Sequence, residues 1–272
     1  MSRLSLAVDS SQITQFLLCP ESWYDKYRLN LQRKTDLRSK ALDNGTVMHG
    51  LMERYYYKIA DKVDNWTAHK YAIHCLEDSS KTLGLDKKEV DFLRYRFTHY
   101  VCYYQDRDFK PLIREGKPLI EVGFSVPIID NEFYLFVLEG RIDLIAEFCG
   151  KTVIVDHKSQ SRSYNLYDYS IQFKNYALAS GINNLVVNYV GLQQTINENT
   201  FRQRLFYFNP ALLRKWRSEL ESIMFKMATA ITTGHREQNW AQCQPPASHG
   251  ILCPFTRICE SLNDHIKSEV IR

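Results

Sequence analysis

Near the middle of the chain, Asp143, Asp156 and Lys158 have the types and spacing to do chemistry on a phosphate ester. In Ile154-Val155-Asp156-His157-Lys158-Ser159, residues two apart share a face if the segment is a strand, so Asp156 and Lys158 point the same way. Asp-x-Lys alone says little, because it arises by chance about once in a chain of this size. The preceding segment, Leu138 to Ile145, gives it meaning. With Cys149-Gly150 as a two-residue hairpin turn, Phe148 pairs with Lys151 and Asp143 falls opposite Asp156 on the same face. Two opposed carboxylates repel each other, and a divalent cation removes that penalty. Oxygen ligands suit Mg²⁺ or Mn²⁺, with positions left for water and phosphate. Such a cation acts as Lewis acid and lowers the pKa of water. Lys158 would orient the attacking water or balance charge on the phosphate. Geometry alone leaves open a solvated hairpin carrying unrelated charges.

The elements around these residues follow from periodicity and punctuation. The first third reads as helical: Ser10 and Ser11 cap a helix through Gln12–Leu18, and Pro20 opens another through Tyr24 and Tyr27. Further helices are expected from Asp43 or Asn44 to about Ala60, over 66–82 and over 87–107. The period then changes, and Leu119 to Lys158 reads as strands with turns at Asp130-Asn131 and Cys149-Gly150. A helix follows from about Tyr167 to Ser180, closed by Gly181, then strands Leu185–Leu192 and Phe201–Phe208, then a long helix from Pro210 to about Thr232. The order predicts an α/β protein with a central mixed sheet flanked by helices.

Bulk properties bound the reading. The chain has 272 residues, 44% apolar and 24% charged, as in ordinary soluble proteins, and no apolar run of membrane-spanning length. The start lacks the apolar core of a secretion signal. The net charge of +4 is compatible with a polyanionic partner and is weak evidence for one. The 17 Tyr could stack on unpaired bases, though such rings are more often core. Seven cysteines, an odd number, argue against a disulfide framework and for a reducing, cytoplasmic setting.

Four blocks resemble the RecB-like branch of the PD-(D/E)XK nucleases, over almost the whole span from Ser10 to Cys259. Gly45-Thr46-Val47-Met48-His49 is similar to the family's Gly-Thr-x-x-His, whose His contributes to metal binding. Gly140-Arg141-Ile142-Asp143 matches Gly-x-x-Asp. Asp156-His157-Lys158-Ser159 matches Asp-x-Lys-Thr, with His157 in place of the usual aromatic and Ser159 in place of Thr. Gln172-Phe173-Lys174-Asn175-Tyr176 resembles Gln-x-x-x-Tyr; Gln172 and Tyr176 share a helix face, and the resemblance turns them toward the DNA and the catalytic site, with packing of Tyr176 in the core as the alternative. The resemblance implies a PD-(D/E)XK restriction-endonuclease-like core and one domain over 1–272. That domain would comprise an N-terminal helical region over 1–110, a nuclease core over 111–235 and a Cys-rich tail over 236–272 that joins the N-terminus. It implies Mg²⁺ or Mn²⁺ held by His49, Asp143, Asp156 and the carbonyl of His157, with Glu121 as a further acid and Glu53 orienting His49.

The same resemblance assigns a [4Fe–4S] cluster to Cys19, Cys243, Cys253 and Cys259, with Zn²⁺ or unlinked thiols as alternatives. Nine residues separate Cys243 from Cys253, where the family commonly has two. The implied activity is a metal-dependent deoxyribonuclease, an exonuclease on DNA ends or single strands. A structure-specific endonuclease and a catalytically silent DNA-binding subunit are the alternatives. A helicase, recombination or CRISPR partner protein is compatible with the sequence, and no membrane partner is expected.

Overall fold

The computed structural model describes residues 3–33, 40–105, 109–160, 170–242, 255, 259 and 270–271. The chain runs β1 (Leu4–Val8), α1 (Ser10–Leu18), α2 (Pro20–Tyr27), β2 (Gln32–Arg33), α3 (Lys40–Ala60), α4 (Asn65–Leu83) and α5 (Lys87–Tyr104). Short strands β3 (Lys110–Pro111), β4 (Ile113–Arg114) and β5 (Lys117–Pro118) precede the long β6 (Ile120–Asp130), β7 (Tyr134–Phe148) and β8 (Lys151–Gln160). Then come α6 (Ile171–Ser180), β9 (Asn184–Gly191), β10 (Phe201–Tyr207), α7 (Pro210–Thr233), a single 3₁₀ turn and β11 (Val270–Ile271). These elements form two compact units, Met1–Leu37 with Ser125–Gly140 and Arg214–Arg272, and Arg38–Phe124 with Arg141–Leu213.

In the first unit β1 runs parallel to the start of β7, from Leu4 beside Tyr134 to Val8 beside Leu138. Leu6 and Val8 are buried while Ser5 and Ala7 are exposed, the alternation a half-buried strand requires. This strand corrects the expectation of an all-helical first third. Five residues with a partner about 130 positions away leave only a short period-2 trace. The cap of α1 is also corrected: Asp9, not Ser10 or Ser11, accepts the Gln12 N–H at 2.7 Å. Trp23 of α2 is fully buried and meets Phe16 edge-to-face at 5.2 Å. Along α7, Trp216, Leu220, Met224 and Met227 form one buried stripe at helical spacing.

The second unit holds a mixed sheet in the order β3-β7-β8-β9-β10, in which only β8 and β9 are parallel. The β7–β8 turn has positive φ at both central residues, 50° at Cys149 and 72° at Gly150, as a type I′ turn needs. It sets the expected register, from Phe148 opposite Lys151 to Leu144 opposite Val155. β8 is buried on both faces. Val153 and Val155 join a core with Leu51, Tyr55, Leu93 and Phe97 of α3 and α5. Ile154 joins a second core with Phe173 and Tyr176 of α6 and Leu185 and Val187 of β9. α3 starts at Lys40, ahead of the expected Asp43 or Asn44, and α5 ends at Tyr104. The helix expected from Tyr167 starts instead at Ile171, after a non-helical Ser170, while 161–169 lie outside the described residues. Among the described residues no helix is long and apolar enough to cross a membrane.

Candidate active site

β8 changes its surroundings midway. Its ladder to β7 ends with Leu144 opposite Val155, while its ladder to β9 continues through Asp156, His157 and Lys158 to Gln160. The next pair in register would be Asp143 with Asp156. Instead the Asp143 side chain enters the opening, and its Oδ2 accepts the His157 N–H at 2.8 Å. The strand edge beside Asp156 therefore faces a carboxylate rather than a neighbouring backbone.

Asp156 is the most enclosed acid of the group, its side chain 1% exposed. Lys158 Nζ lies 3.0 Å from its Oδ1 and 2.8 Å from its Oδ2. Buried Oδ2 is thus met by the Lys158 ammonium as an ion pair and by no other donor among the described residues. Lys158 also donates to Gln172 Oε1 at 3.2 Å, and Gln172 Nε2 donates to the Tyr176 hydroxyl at 2.6 Å. Tyr176 reconciles two expectations: its ring is packed in the core, while its hydroxyl faces Gln172.

From α3, His49 places Nδ1 3.6 Å from Asp143 Oδ2 and lies beside the His157 backbone. α3 meets β8 at Gly45 and Ser159. Ser159 Oγ donates to the Gly45 carbonyl at 3.4 Å, and a Cβ at Gly45 would sit 3.5 Å from that Oγ. Glu121 is half-buried, has a left-handed φ of 51°, and lies 3.5 Å from Arg141 Nη1. Burial raises its pKa, the nearby Glu53 carboxylate adds to the rise, and Arg141 opposes it.

The electrostatics are those of a site short of positive charge. Burial, the largest cause, raises Asp143 and Asp156 each to about 6; each lies in a field that Lys158 partly offsets, and Asp156 is raised further by Asp143. The two titrate as a pair. Burial likewise lowers His49 and His157, so both imidazoles are neutral at pH 7 and each keeps a lone pair.

Among the described residues no group of three or more His, Cys, Asp or Glu side chains closes into a metal cage. The donor set still fits a hard divalent cation at the open strand edge. It offers two carboxylates whose burial disfavours their charge and a neutral imidazole 3.6 Å from one of them. Of the cysteine set, Cys19 and Cys259 are buried in the first unit, while Cys243 and Cys253 lie outside the described residues. No disulfide joins the described cysteines.

Sequence reasoning missed the polar groups behind His157. The Asn188 amide nitrogen lies 2.9 Å from His157 Nδ1 and donates to the Tyr100 hydroxyl at 2.8 Å. Tyr100 meets the Tyr56 hydroxyl at 2.7 Å, and the Tyr56 ring stacks on His157. A signal was present: Asn188 interrupts the apolar run Leu185–Val190, where an amide is costly unless bonded.

No curated protein matches the chain significantly. Solved structures similar to it include that of SSO0001, with TM-score 0.38, 13% identity, and 96% of this chain and 89% of that one covered. Another is a protein of Eubacterium rectale described as a candidate exonuclease (TM-score 0.47, 12% identity, 90% and 88% covered). A third is LHK-Exo in complex with dAMP (TM-score 0.34, 9% identity, 70% and 95% covered). Likenesses this loose carry nothing about chemistry. The sequence itself fits the PD-(D/E)XK nuclease superfamily over residues 9–260, which takes in the Asp143, Asp156 and Lys158 cluster and the helices around it, and the chain belongs to that superfamily.

Proposed function

We propose that this nuclease is a divalent-metal-dependent deoxyribonuclease, working as one domain and attacking DNA from ends or along single strands. The observation that carries the reading is Asp156: a fully buried carboxylate, raised in pKa beside Asp143, with Lys158 as its one cationic partner at hydrogen-bonding distance among the described residues. Asp143, Asp156, His49 and the His157 carbonyl would hold Mg²⁺ or Mn²⁺. A bound cation would neutralise phosphate charge and make a water more acidic. Lys158, fixed between Asp156 and Gln172, keeps its ammonium at the mouth of the site, where it can steady a phosphate oxygen or the attacking water. Gln172, braced by Tyr176, limits the swing of that ammonium. Glu121 lies at the same edge, where burial and the Glu53 carboxylate raise its pKa, and it would serve there as a further acid.

Purified protein offered linear and circular single-stranded DNA and end-labelled duplex, with Mg²⁺, Mn²⁺ or EDTA, tests this. Loss of linear DNA with circles spared supports attack from ends. Nicked circles point to the endonuclease reading, and cleavage in EDTA removes the metal. The [4Fe–4S] cluster is proposed on the resemblance, with buried Cys19 and Cys259 compatible with it. Iron and zinc analysis of anaerobically purified protein decides between iron, zinc and neither. Association with a helicase, recombination or CRISPR protein is proposed on the same basis and is read by co-purification.

A further inference from the structure

His157 lies between the two proposed metal-binding acids in space, yet its side chain faces away from them. Along β8, Asp156 and Lys158 share one face, and Val155 and His157 share the other, beneath α3 and α5. There His157 is 5% exposed and closes a cycle of contacts through four elements. Its ring stacks on Tyr56 of α3, with centroids 5.5 Å apart and planes 13° from parallel. Tyr56 reaches Tyr100 of α5, Tyr100 accepts from Asn188 of β9, and Asn188 returns to His157 Nδ1.

We infer that Asn188 is a positioning residue for the active site: its amide fixes the tautomer and orientation of the His157 ring, and through it the backbone of His157 that faces the metal edge. This rests on the metal-dependent reading above. The assignment follows from donor counting. An amide nitrogen only donates, so His157 Nδ1 accepts, and the neutral ring carries its proton on Nε2. This amide orientation gives every one of its polar atoms a partner. The Asn188 nitrogen has two hydrogens and two recipients, and its Oδ1 accepts from Gln203 at 3.4 Å. Asn188 is wholly buried, so each of these groups would be stranded without its partner.

The consequence at the site is geometric. The His157 N–H donates to Asp143 Oδ2, and His49 Nδ1 lies 3.6 Å from that same oxygen. A tilt of the ring turns both peptide groups and displaces Asp143 and His49 together. Tyr56 lies two turns after His49 on α3, so its stacking contact also sets where α3 meets β8. The buried cycle thus couples a helix that supplies one proposed ligand to the strand that supplies the others.

The test is Asn188→Leu, read two ways. The Mg²⁺ concentration for half-maximal cleavage should rise about tenfold or more, with a smaller change at saturating Mg²⁺. Imidazole ¹⁵N NMR of metal-free wild type should show His157 as the Nε2–H tautomer, and in Asn188→Leu that single state should be lost. The double variant His157→Phe/Asn188→Leu removes both partners while keeping an aromatic ring on Tyr56, and should return the Mg²⁺ requirement toward wild type. It also serves if Asn188→Leu alone fails to fold. An unchanged Mg²⁺ requirement in folded Asn188→Leu, a wild-type proton on Nδ1, or a double variant needing tenfold more Mg²⁺ than wild type would each overturn the inference. Wild type that cleaves no DNA in Mg²⁺ or Mn²⁺ would instead sink the metal-dependent reading, and the NMR result would still judge Asn188.

Discussion

Replacing Asp156 with Asn is expected to stabilise the metal-free protein at pH 8. Burial is the main reason the Asp156 carboxyl titrates at about 6 rather than at its ordinary 3.8, and the opposing pull of Lys158 is already included in that value. A folded-state pKa above the unfolded one means that folding favours the protonated acid. Its stabilising contribution is full below pH ~4 and is lost as pH rises through about 6. At pH 8 the native protein therefore carries a penalty of up to about 3 kcal/mol for this carboxylate. Asn keeps the shape and removes the charge. Lys158 is 19% exposed and retains Gln172, so its ammonium stays hydrated and hydrogen-bonded. Urea unfolding in EDTA at pH 8 and pH 5 measures the effect. The Asn variant should be the more stable at pH 8, and its advantage should shrink by on the order of 1 kcal/mol at pH 5, where most of the wild-type acid is protonated. Mg²⁺ at pH 8 should raise the wild-type midpoint and leave that of the variant in place. A variant less stable than wild type at pH 8, or a difference independent of pH, would refute the reasoning.

Lys158→Ala leaves the Asp156 charge buried and uncompensated. It should cost on the order of 3 kcal/mol at pH 8 and less at pH 5 in the same unfolding series, besides abolishing cleavage. Gly45→Ala adds a Cβ at ordinary contact distance from Ser159, so it should leave cleavage intact and change stability by no more than about 1 kcal/mol, toward greater stability. Gly45→Leu should push α3 from β8 and raise the Mg²⁺ requirement, as metal-titrated cleavage would show. At the β7–β8 turn, Cys149→Asn should stabilise by a few tenths of a kcal/mol, because Asn tolerates the left-handed φ; Gly150→Ala should destabilise by about 1 kcal/mol. Thermal melts of both turn variants check the pair.

The hairpin was the most legible element of the fold in the sequence. Cys149-Gly150 marks the turn, and a two-residue turn fixes the register through Leu144 and Val155. The rupture one step later was not legible. Asp143 gives up its ladder place to bind the His157 N–H with its side chain, a choice made by packing. The Gln172–Tyr176 pair could be read from one turn of helix, but the link from Gln172 to Lys158 needs the fold of α6 onto β8. β1 was hidden because a five-residue alternation beside a strong helix start looks like more of a helical region, and its partner strand lies in the middle of the sequence. The Tyr56, Tyr100 and Asn188 cycle joins residues 44 and 88 positions apart, so no local pattern encodes it beyond the isolated amide in an apolar strand.

The central claim is that DNA hydrolysis occurs where Asp143, Asp156 and Lys158 meet and requires a divalent metal there. The direct measurement is cleavage of end-labelled DNA by wild type and Asp156→Asn, each with Mg²⁺ and with EDTA, after both have been shown to be folded. The account predicts label release by wild type in Mg²⁺ alone and none by the variant in either condition. Release by folded Asp156→Asn at the wild-type rate would contradict it.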